Sequence, residues 1–399
     1  MKNISYLLIA FIFFCSCSVK NADISLKTVE KTLDIAQQQT LLMAKAMEKL
    51  PGRLPKSISP DGQLETSSEY WWTSGFFPGQ LWYMYEYSGD ERLKNQAELF
   101  LERVENQQYV TDNHDVGFIV FCSFGNAYRI TSNEAYLPII ENAAKSLSTR
   151  YSPVTKTICS WDRASWNNQW QYAVIIDNMM NLELLEWSAH KFNEPRFSDI
   201  AQSHANTTMA NHFRPDGSSF HVVSYDTITG LPELYHTSQG FSHESAWARG
   251  QAWGLYGYTL MYRYTNNKNY LDQAQKIADF LINHPRLPAD KIPYWDFDAP
   301  DIPNALRDAS AGAIMCSALL ELHQYVQPQK GREYLDVAKK QLVSLCSDTY
   351  LAKVGTNHNF ILKHALGHQP NGTEVDVPLS YADYYFVEAL MRYREQFGE

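Results

Sequence analysis

The chain has 399 residues and a formal net charge of −10; 45% of it is hydrophobic and 20% charged, the composition of a folded globular protein and not of a disordered one. No lysine/arginine block is long enough to make a nucleic-acid patch, and the acidic balance also argues against gripping a long polyanion along an extended groove. Aromatic residues reach 14%, with 10 Trp and 25 Tyr. Flat rings with polar tips suit stacking on sugars, although a large aromatic core would use them equally well.

In chain order, Met1 and Lys2 give a short basic start, and "YLLIAFIFF" (6–14) is apolar but too short to span a membrane. "CSC" follows. The pattern reads as a lipoprotein signal peptide over 1–17, with Cys17, preceded by the small Ser16, as the lipidated residue; an ordinary secretory signal is the alternative. Both take the protein out of the cytoplasm. The expected location is the bacterial periplasm, with membrane contact through the lipid anchor alone. Residues 18–25 form a short linker and 26–399 a single domain. The remaining cysteines, Cys122, Cys159, Cys316 and Cys346, lack CxxC spacing and make a zinc site improbable. Cys122 and Cys316 sit in apolar runs and read as buried thiols.

Beyond residue 26 the pattern is helix after helix, over 26–48, 74–88, 90–106, 115–131, 133–149, 169–190, 194–212, 244–265, 268–284, 307–326, 330–347 and 380–397. Two kinds alternate. "ERLKNQAELFLERV" places Leu93, Ala97, Phe100, Leu101 and Val104 on one face and charges on the other, and "YLDQAQKIADFLI" does the same. "VGFIVFCSFGNAY", "YAVIIDNMMNLELL" and "AGAIMCSALLEL" are apolar nearly all round, so other helices must surround them. Six covered helices in a ring inside six half-exposed ones satisfy both kinds, which predicts an all-α (α/α)6 barrel. A solenoid would show a fixed sequence repeat, and none is found. The long irregular stretches, 50–73, 150–168, 213–243, 285–306 and 348–379, are expected to wall a pocket at one end of the inner helices. "SSFHVVSYD" (218–226) is the best strand signal.

Few residues on this frame invite chemistry. Asp115, in "NHDVGF", follows Asn113 as the predicted N-cap, where a carboxylate also suits the helix dipole. Asp177 lies among Ile175, Ile176, Met179 and Met180, where burial would raise its pKa into the range of a general acid; a structural tie to a neighbouring helix is the plainer reading. Each Asp lies on an inner-type helix, Asp115 at the N-terminal end of its own, and in an (α/α)6 barrel the pocket is at that end of the inner helices, where an Asp pair would divide acid and base roles. Asn178 and Asn181 add a small polar face. In "HESAWARGQAWGLYGY", Arg249 and Trp253 share a helix face, and Gly250, Gly254 and Gly257 imply close approach of a helix or ligand. Arg249 reads as a carboxylate or sulfate clamp, or as an internal salt bridge. His221 and Gln239 are loop residues. Trp71 and Trp72, and Trp161, Trp166 and Trp170 on another loop, are candidates to stack on a sugar. "HALGH" (364–368) adds two His. No HExxH, GxSxG, P-loop or dinucleotide motif is present.

Together "YWWTSGFFPGQLW", "NHDVGF", "SWDRASWNNQWQYAVIIDNMMNLELLEW", "HESAWARGQAWGLYGY" and "EVDVPLSYADYYFVEAL" resemble the unsaturated glucuronyl hydrolases of glycoside hydrolase family 88. The resemblance runs from about Leu26 to the C-terminus and implies the same (α/α)6 fold. It implies Asp177 as general acid/base, with Asp115 assisting. His114, Trp72 (with Trp71 a close competitor), His221, Gln239, Arg249 and Trp253 become substrate-binding residues. The implied partner is an unsaturated oligosaccharide, with no metal or organic cofactor. The implied reaction hydrates the C4=C5 enol ether of a terminal unsaturated glucuronate. The related unsaturated rhamnogalacturonyl hydrolases, a non-catalytic glycan-binding lipoprotein and a polysaccharide lyase on the same toroid are the competing readings.

Overall fold

The computed structural model describes residues 23–162 and 169–398. Among these are twelve α-helices: α1 (Leu26–Met47), α2 (Phe76–Ser88), α3 (Glu91–Glu102), α4 (Asn126–Thr131), α5 (Leu137–Ser148), α6 (Asn178–Phe192), α7 (Pro195–Asn211), α8 (Ala248–Thr265), α9 (Lys268–Asn283), α10 (Ala309–Leu322), α11 (Pro328–Leu345) and α12 (Ser380–Phe397). A π-helix, Gly117–Gly125, runs directly into α4. The even-numbered helices form a closed ring: α2 packs on the π-helix, which packs on α6, then α8, α10, α12 and back to α2. Each odd-numbered helix packs outside the ring, and the expected (α/α)6 barrel is the observed fold.

The division follows burial. Every residue of α10 is buried, and so are Ala248–Met261 of α8, because both lie between neighbours in the ring. On outer α9 a single stripe, Tyr270, Ala274, Ile277, Ala278 and Leu281, is buried, and polar residues face solvent. Gly257 lets α8 come so close to α6 that a Cβ there would collide with Met179. Close approach by a helix, not a ligand, explains that glycine.

Most inner-to-outer links are very short, and their chemistry recurs. Gly89, Ser132, Asn193 and Asn266 end α2, α4, α6 and α8 in the left-handed conformation, at φ 66°, 53°, 53° and 54°. The very next residue, Asp90, Asn133, Glu194 or Asn267, caps the following helical segment with its side chain. The outer-to-inner links are long and carry the strands. They all arrive at the N-terminal ends of the inner helices and gather there. β1 (Leu54–Ile58) pairs with β2 (Leu64–Ser67), β3 (Tyr151–Ser152) with β4 (Thr157–Ile158), and β8 (Ala365–His368) with β9 (Thr373–Val377). A three-stranded antiparallel sheet has the order β5 (Ala173–Ile175), β6 (Val222–Tyr225), β7 (Pro232–His236).

The helix expected over 169–190 needs correction. Ala173–Ile175 are a strand, and the helix begins at Asn178. "YAVII" is a short apolar run with β-branched residues, which periodicity alone cannot assign. The strand expected within 218–226 is present as β6. Cys122, Cys159, Cys316 and Cys346 are free thiols, with Cys316 buried. The expected signal peptide, Cys17 and Trp166 lie outside the described residues.

Candidate active site

Asp177 is the N-cap residue of α6, and its side chain is not used to cap the helix. The sheet places it. Ile175 pairs with Val222, and the ladder continues one step to a bond from Ile176 N–H to the His221 carbonyl. Asp177 therefore emerges beside His221, with Asp177 Oδ2 3.6 Å from His221 Nε2. Both atoms are buried, and neither has a hydrogen-bond partner among the described residues. Burial lifts the Asp177 carboxyl to about 7, against weaker pulls from the Arg249 charge, its own backbone and the Trp253 indole N–H.

Asp115 sits one residue before the helical start at Val116, not in the first turn, and its N–H donates to Asn113 Oδ1 at 2.9 Å; this contact closes a turn ahead of the helix, so Asn113 is not the N-cap it was expected to be. Burial, then the nearby Asp177 charge, lifts its carboxyl to about 8. The two carboxyls are thus electrostatic neighbours with raised pKa values, as the acid/base pairing requires. His114 is buried with Nε2 3.5 Å from Asp115 Oδ1; desolvation lowers its pKa to about 3, so the ring is neutral. Each of the two amides is half engaged: Asn178 Nδ2 donates to the Ile158 carbonyl at 3.0 Å and Asn181 Oδ1 accepts from Phe118 N–H at 2.8 Å, while Asn178 Oδ1 and Asn181 Nδ2 have no hydrogen-bond partner among the described residues.

Aromatic side chains wall the site. Trp253 is fully buried, 5.2 Å from Phe118 between centroids. Trp72 packs at 5.7 Å on Phe118 and 4.8 Å on Tyr381, whereas Trp71 is exposed beneath the Lys56 ammonium. Trp72 thus joins the cluster that contains Trp253, and Trp71 does not. On the other side His221 meets Trp247 at 4.5 Å and Trp161 at 6.4 Å, and Trp161 stacks on Trp170 at 5.7 Å.

Arg249 is held more tightly than its reading as a clamp implied. Its guanidinium donates to the carbonyls of Leu366 and of Gly367 (2.7 Å), approaches Asp308 Oδ2 at 3.3 Å, and lies over Trp247 and Tyr381. Only its Nε–H is without a partner among the described residues. Gln239 Nε2 reaches the same Gly367 carbonyl at 3.0 Å. Arg249 and Gln239 thus tie the β8–β9 hairpin over the site. His368, at the end of β8, feels the Arg249 charge, while His364 turns outward to a hydrogen bond with Asp376 at 2.7 Å.

Three residues were not singled out from sequence. The Tyr381 hydroxyl, at the start of α12, is buried without a partner among the described residues. Asp308, the N-cap of α10, holds Ser310, Leu366 and Arg249 together. Trp247, N-cap of α8, packs on His221, and its indole N–H is likewise unpartnered. Asp308 had an N-cap signal, an Asp just ahead of an apolar run; the others had none separable from core packing.

A second cavity, of about 1310 Å³, lies at the opposite end of the ring, near the C-terminal ends of the inner helices. Three of its four arginines are matched to carboxylates, Arg129 with Glu86, Arg263 with Glu183 and Glu321, Arg392 with Glu321 and Glu388, and the fourth, Arg394, lies over the Tyr87 ring. At the N-terminal end, by contrast, Asp177 Oδ2, His221 Nε2 and the Tyr381 hydroxyl are buried without partners among the described residues.

An α/α toroid with a buried acid pair at its aromatic-lined mouth defines a carbohydrate-active enzyme. The chain matches Glycosyl Hydrolase Family 88 over residues 42–396. It is 48% identical over 323 residues to an unsaturated glucuronyl hydrolase of Formosa agariphila, covering 80% of this chain and 79% of that one. It is 32% identical over 327 residues to an unsaturated chondroitin disaccharide hydrolase of Streptococcus pneumoniae, covering 81% of each. A solved unsaturated glucuronyl hydrolase specific for heparin superposes with a TM-score of 0.90 at 48% identity, over 93% of this chain and 98% of that one. The chain belongs to glycosyl hydrolase family 88.

Proposed function

We propose that the protein removes the non-reducing-end 4,5-unsaturated glucuronic acid from lyase-generated, glycosaminoglycan-type oligosaccharides, with Asp177 as general acid/base and Asp115 assisting. The observation that carries this reading is the Asp177 carboxyl: buried, lifted to about 7, unpartnered at Oδ2 and facing His221 and Trp253. Such a group holds its proton near neutral pH and has nothing in the fold to give it to. Similarity to the Formosa and heparin-specific enzymes supports the substrate class.

Asp177 delivers its proton to C4 of the enol ether, leaving positive charge shared by C5 and the ring oxygen. Water adds at C5, and its proton passes to the Asp177 carboxylate, restoring the acid. The C5 hemiketal opens to a ketone; the hemiacetal left at C1 then collapses to the aldehyde and frees the remaining saccharide. One water is consumed and one glycosidic bond broken. The spacing rule for retaining and inverting carboxylate pairs does not apply to this route. Asp115 positions the reacting end; burial and the neighbouring Asp177 charge hold its own carboxyl up at about 8. Trp72 and Trp253 wall the ring site.

The test is ultraviolet absorbance of the enoate during incubation with unsaturated disaccharides from heparin, chondroitin, hyaluronan and pectin, sulfated and not. Wild type should destroy the absorbance, and Asp177→Asn should not. Persistence of absorbance throughout the panel with folded wild type would refute the proposal, and a preference for the pectin product would move the substrate to the rhamnogalacturonyl class.

Lipidation of Cys17 and a periplasmic, membrane-anchored location complete the proposal, supported by the apolar run ahead of "CSC". Wild type should partition into detergent and Cys17→Ser should not; equal partitioning would favour an ordinary secretory signal.

A further inference from the structure

We infer that the turn Thr237–Gln239 is a positioning device: its backbone N–H groups fix His221 as a neutral ring with the proton on Nε2, aimed at Asp177. This rests on the assignment of Asp177 as general acid.

The geometry at His221 is one-sided. Nδ1 accepts the Ser238 N–H at 3.0 Å and the Gln239 N–H at 3.2 Å, with Thr237 Oγ1 at 3.4 Å. A proton on Nδ1 would point into two backbone donors, so the single proton of the neutral ring sits on Nε2. That Nε2 is the atom 3.6 Å from Asp177 Oδ2. The turn is itself anchored: Thr237 N–H donates to His243 Nδ1 at 3.1 Å, Gly240 N–H to Thr237 Oγ1 at 2.8 Å, and the Gln239 side chain to the Gly367 carbonyl.

The same two amides block the second protonation. An imidazolium must carry a proton on Nδ1, and here that proton would face the positive ends of two N–H dipoles. The charged and titratable groups around the ring are Asp177 from α6, Arg249 from α8, His368 from β8, His212 from the end of α7 and His114 ahead of the π-helix. Arg249 opposes a second positive charge, the other three are histidines, and Asp177 alone would attract one. Burial drives the ring well below its ordinary pKa, the charges of His368 and Arg249 add to it, and the two amides leave no room for a proton on Nδ1.

Neutrality matters because of what lies at 3.6 Å. An imidazolium there would stabilise the Asp177 carboxylate, pull its pKa down and strip the proton it must give to C4. A neutral Nε2–H orients the carboxyl, or a substrate oxygen, without that cost. Through their backbone N–H groups Ser238 and Gln239 thus act on the reaction by way of His221.

The test is the ¹⁵N spectrum of histidine-labelled protein between pH 5.5 and 8.5, with the His221 signals assigned from a His221→Gln sample. Wild type should show His221 protonated at Nε2 throughout. An Nδ1–H ring, or a ring that titrates inside this range, overturns the inference. Ser238→Pro deletes the nearer donor, and Ser238→Ala keeps it. In S238P, which loses the nearer donor, a fraction of His221 should take the Nδ1–H form, and kcat should fall with KM little changed. S238A should keep both at wild-type values. An Nδ1–H fraction in S238P with unchanged kcat would show that the turn does not act on Asp177. The spectrum needs no substrate, so it distinguishes this device from the assignment of the reaction: a protein inactive on every disaccharide would still report its tautomer.

Discussion

Replacing Asp177 with asparagine should abolish activity and at the same time strengthen the fold, and the second effect should grow with pH. Burial lifts the folded-state carboxyl from 3.8 to about 7. In the unfolded chain it returns to about 3.9. Stability contributed by a carboxyl whose pKa is raised on folding is fully present below the unfolded value and is lost as pH climbs through the folded one. Three pKa units at 1.36 kcal/mol each make a penalty of roughly 4 kcal/mol, complete by pH 8.5. At pH 5.0 about one unit has accumulated, or roughly 1.5 kcal/mol. Asparagine has nearly the same shape and cannot ionise, so the variant escapes the penalty. For a chain of 399 residues unfolding entropy is about 0.8 kcal/mol/K, which converts these figures to about 5 °C at pH 8.5 and about 2 °C at pH 5.0. Scanning calorimetry of both proteins at the two pH values reads the difference directly. A margin that stays flat with pH, or an asparagine variant that melts below wild type at pH 8.5, would refute the claim that the carboxyl is held in an environment hostile to its charge.

Other outcomes follow from the same geometry. Trp253→Phe removes an indole N–H that favours the Asp177 carboxylate, so the alkaline limb of kcat should move to higher pH; a move downward would contradict that contact. Gly257→Ala forces a methyl into Met179, and urea unfolding should show a loss of about 1–3 kcal/mol. Arg249→Lys substitutes a point charge for a planar fork, which cannot hold two carbonyls and Asp308 at once. Amide exchange across 365–377 should accelerate in that variant, and unchanged exchange would deny Arg249 its role as a tie.

The alternation of covered and half-exposed helices made the toroid legible from sequence, because apolar residues around a whole helix leave no place for water. The irregular segments were harder. "YAVIIDNMM" reads as one helix, yet three of its residues pair with Val222–Ser224, more than forty positions away, and no local pattern encodes that pairing. Asp115 and Asp177 were recognisable as carboxylates in the wrong company, since burial cost attaches to residue type. Whether Arg249 meets substrate or a loop was not readable, because both uses demand the same buried guanidinium; the carbonyls of Leu366 and Gly367 are backbone groups with no signature of their own. The Tyr381 hydroxyl was hidden for a related reason: a tyrosine at a core position looks the same whether its oxygen is satisfied or not.

Because the ring closes, the chain can be rewired. α12 packs against both α1 and α2, and the Tyr393 hydroxyl donates to the Ile24 carbonyl at 3.0 Å, so the first and last helices are neighbours. No helix in the ring is first in any physical sense. A short peptide joining the two ends, with new ends opened at Asn266 and Asn267, would give a circular permutant with every interhelical contact intact, cut at the rim remote from the catalytic mouth. Its activity would separate the arrangement of the barrel from the order in which it is threaded.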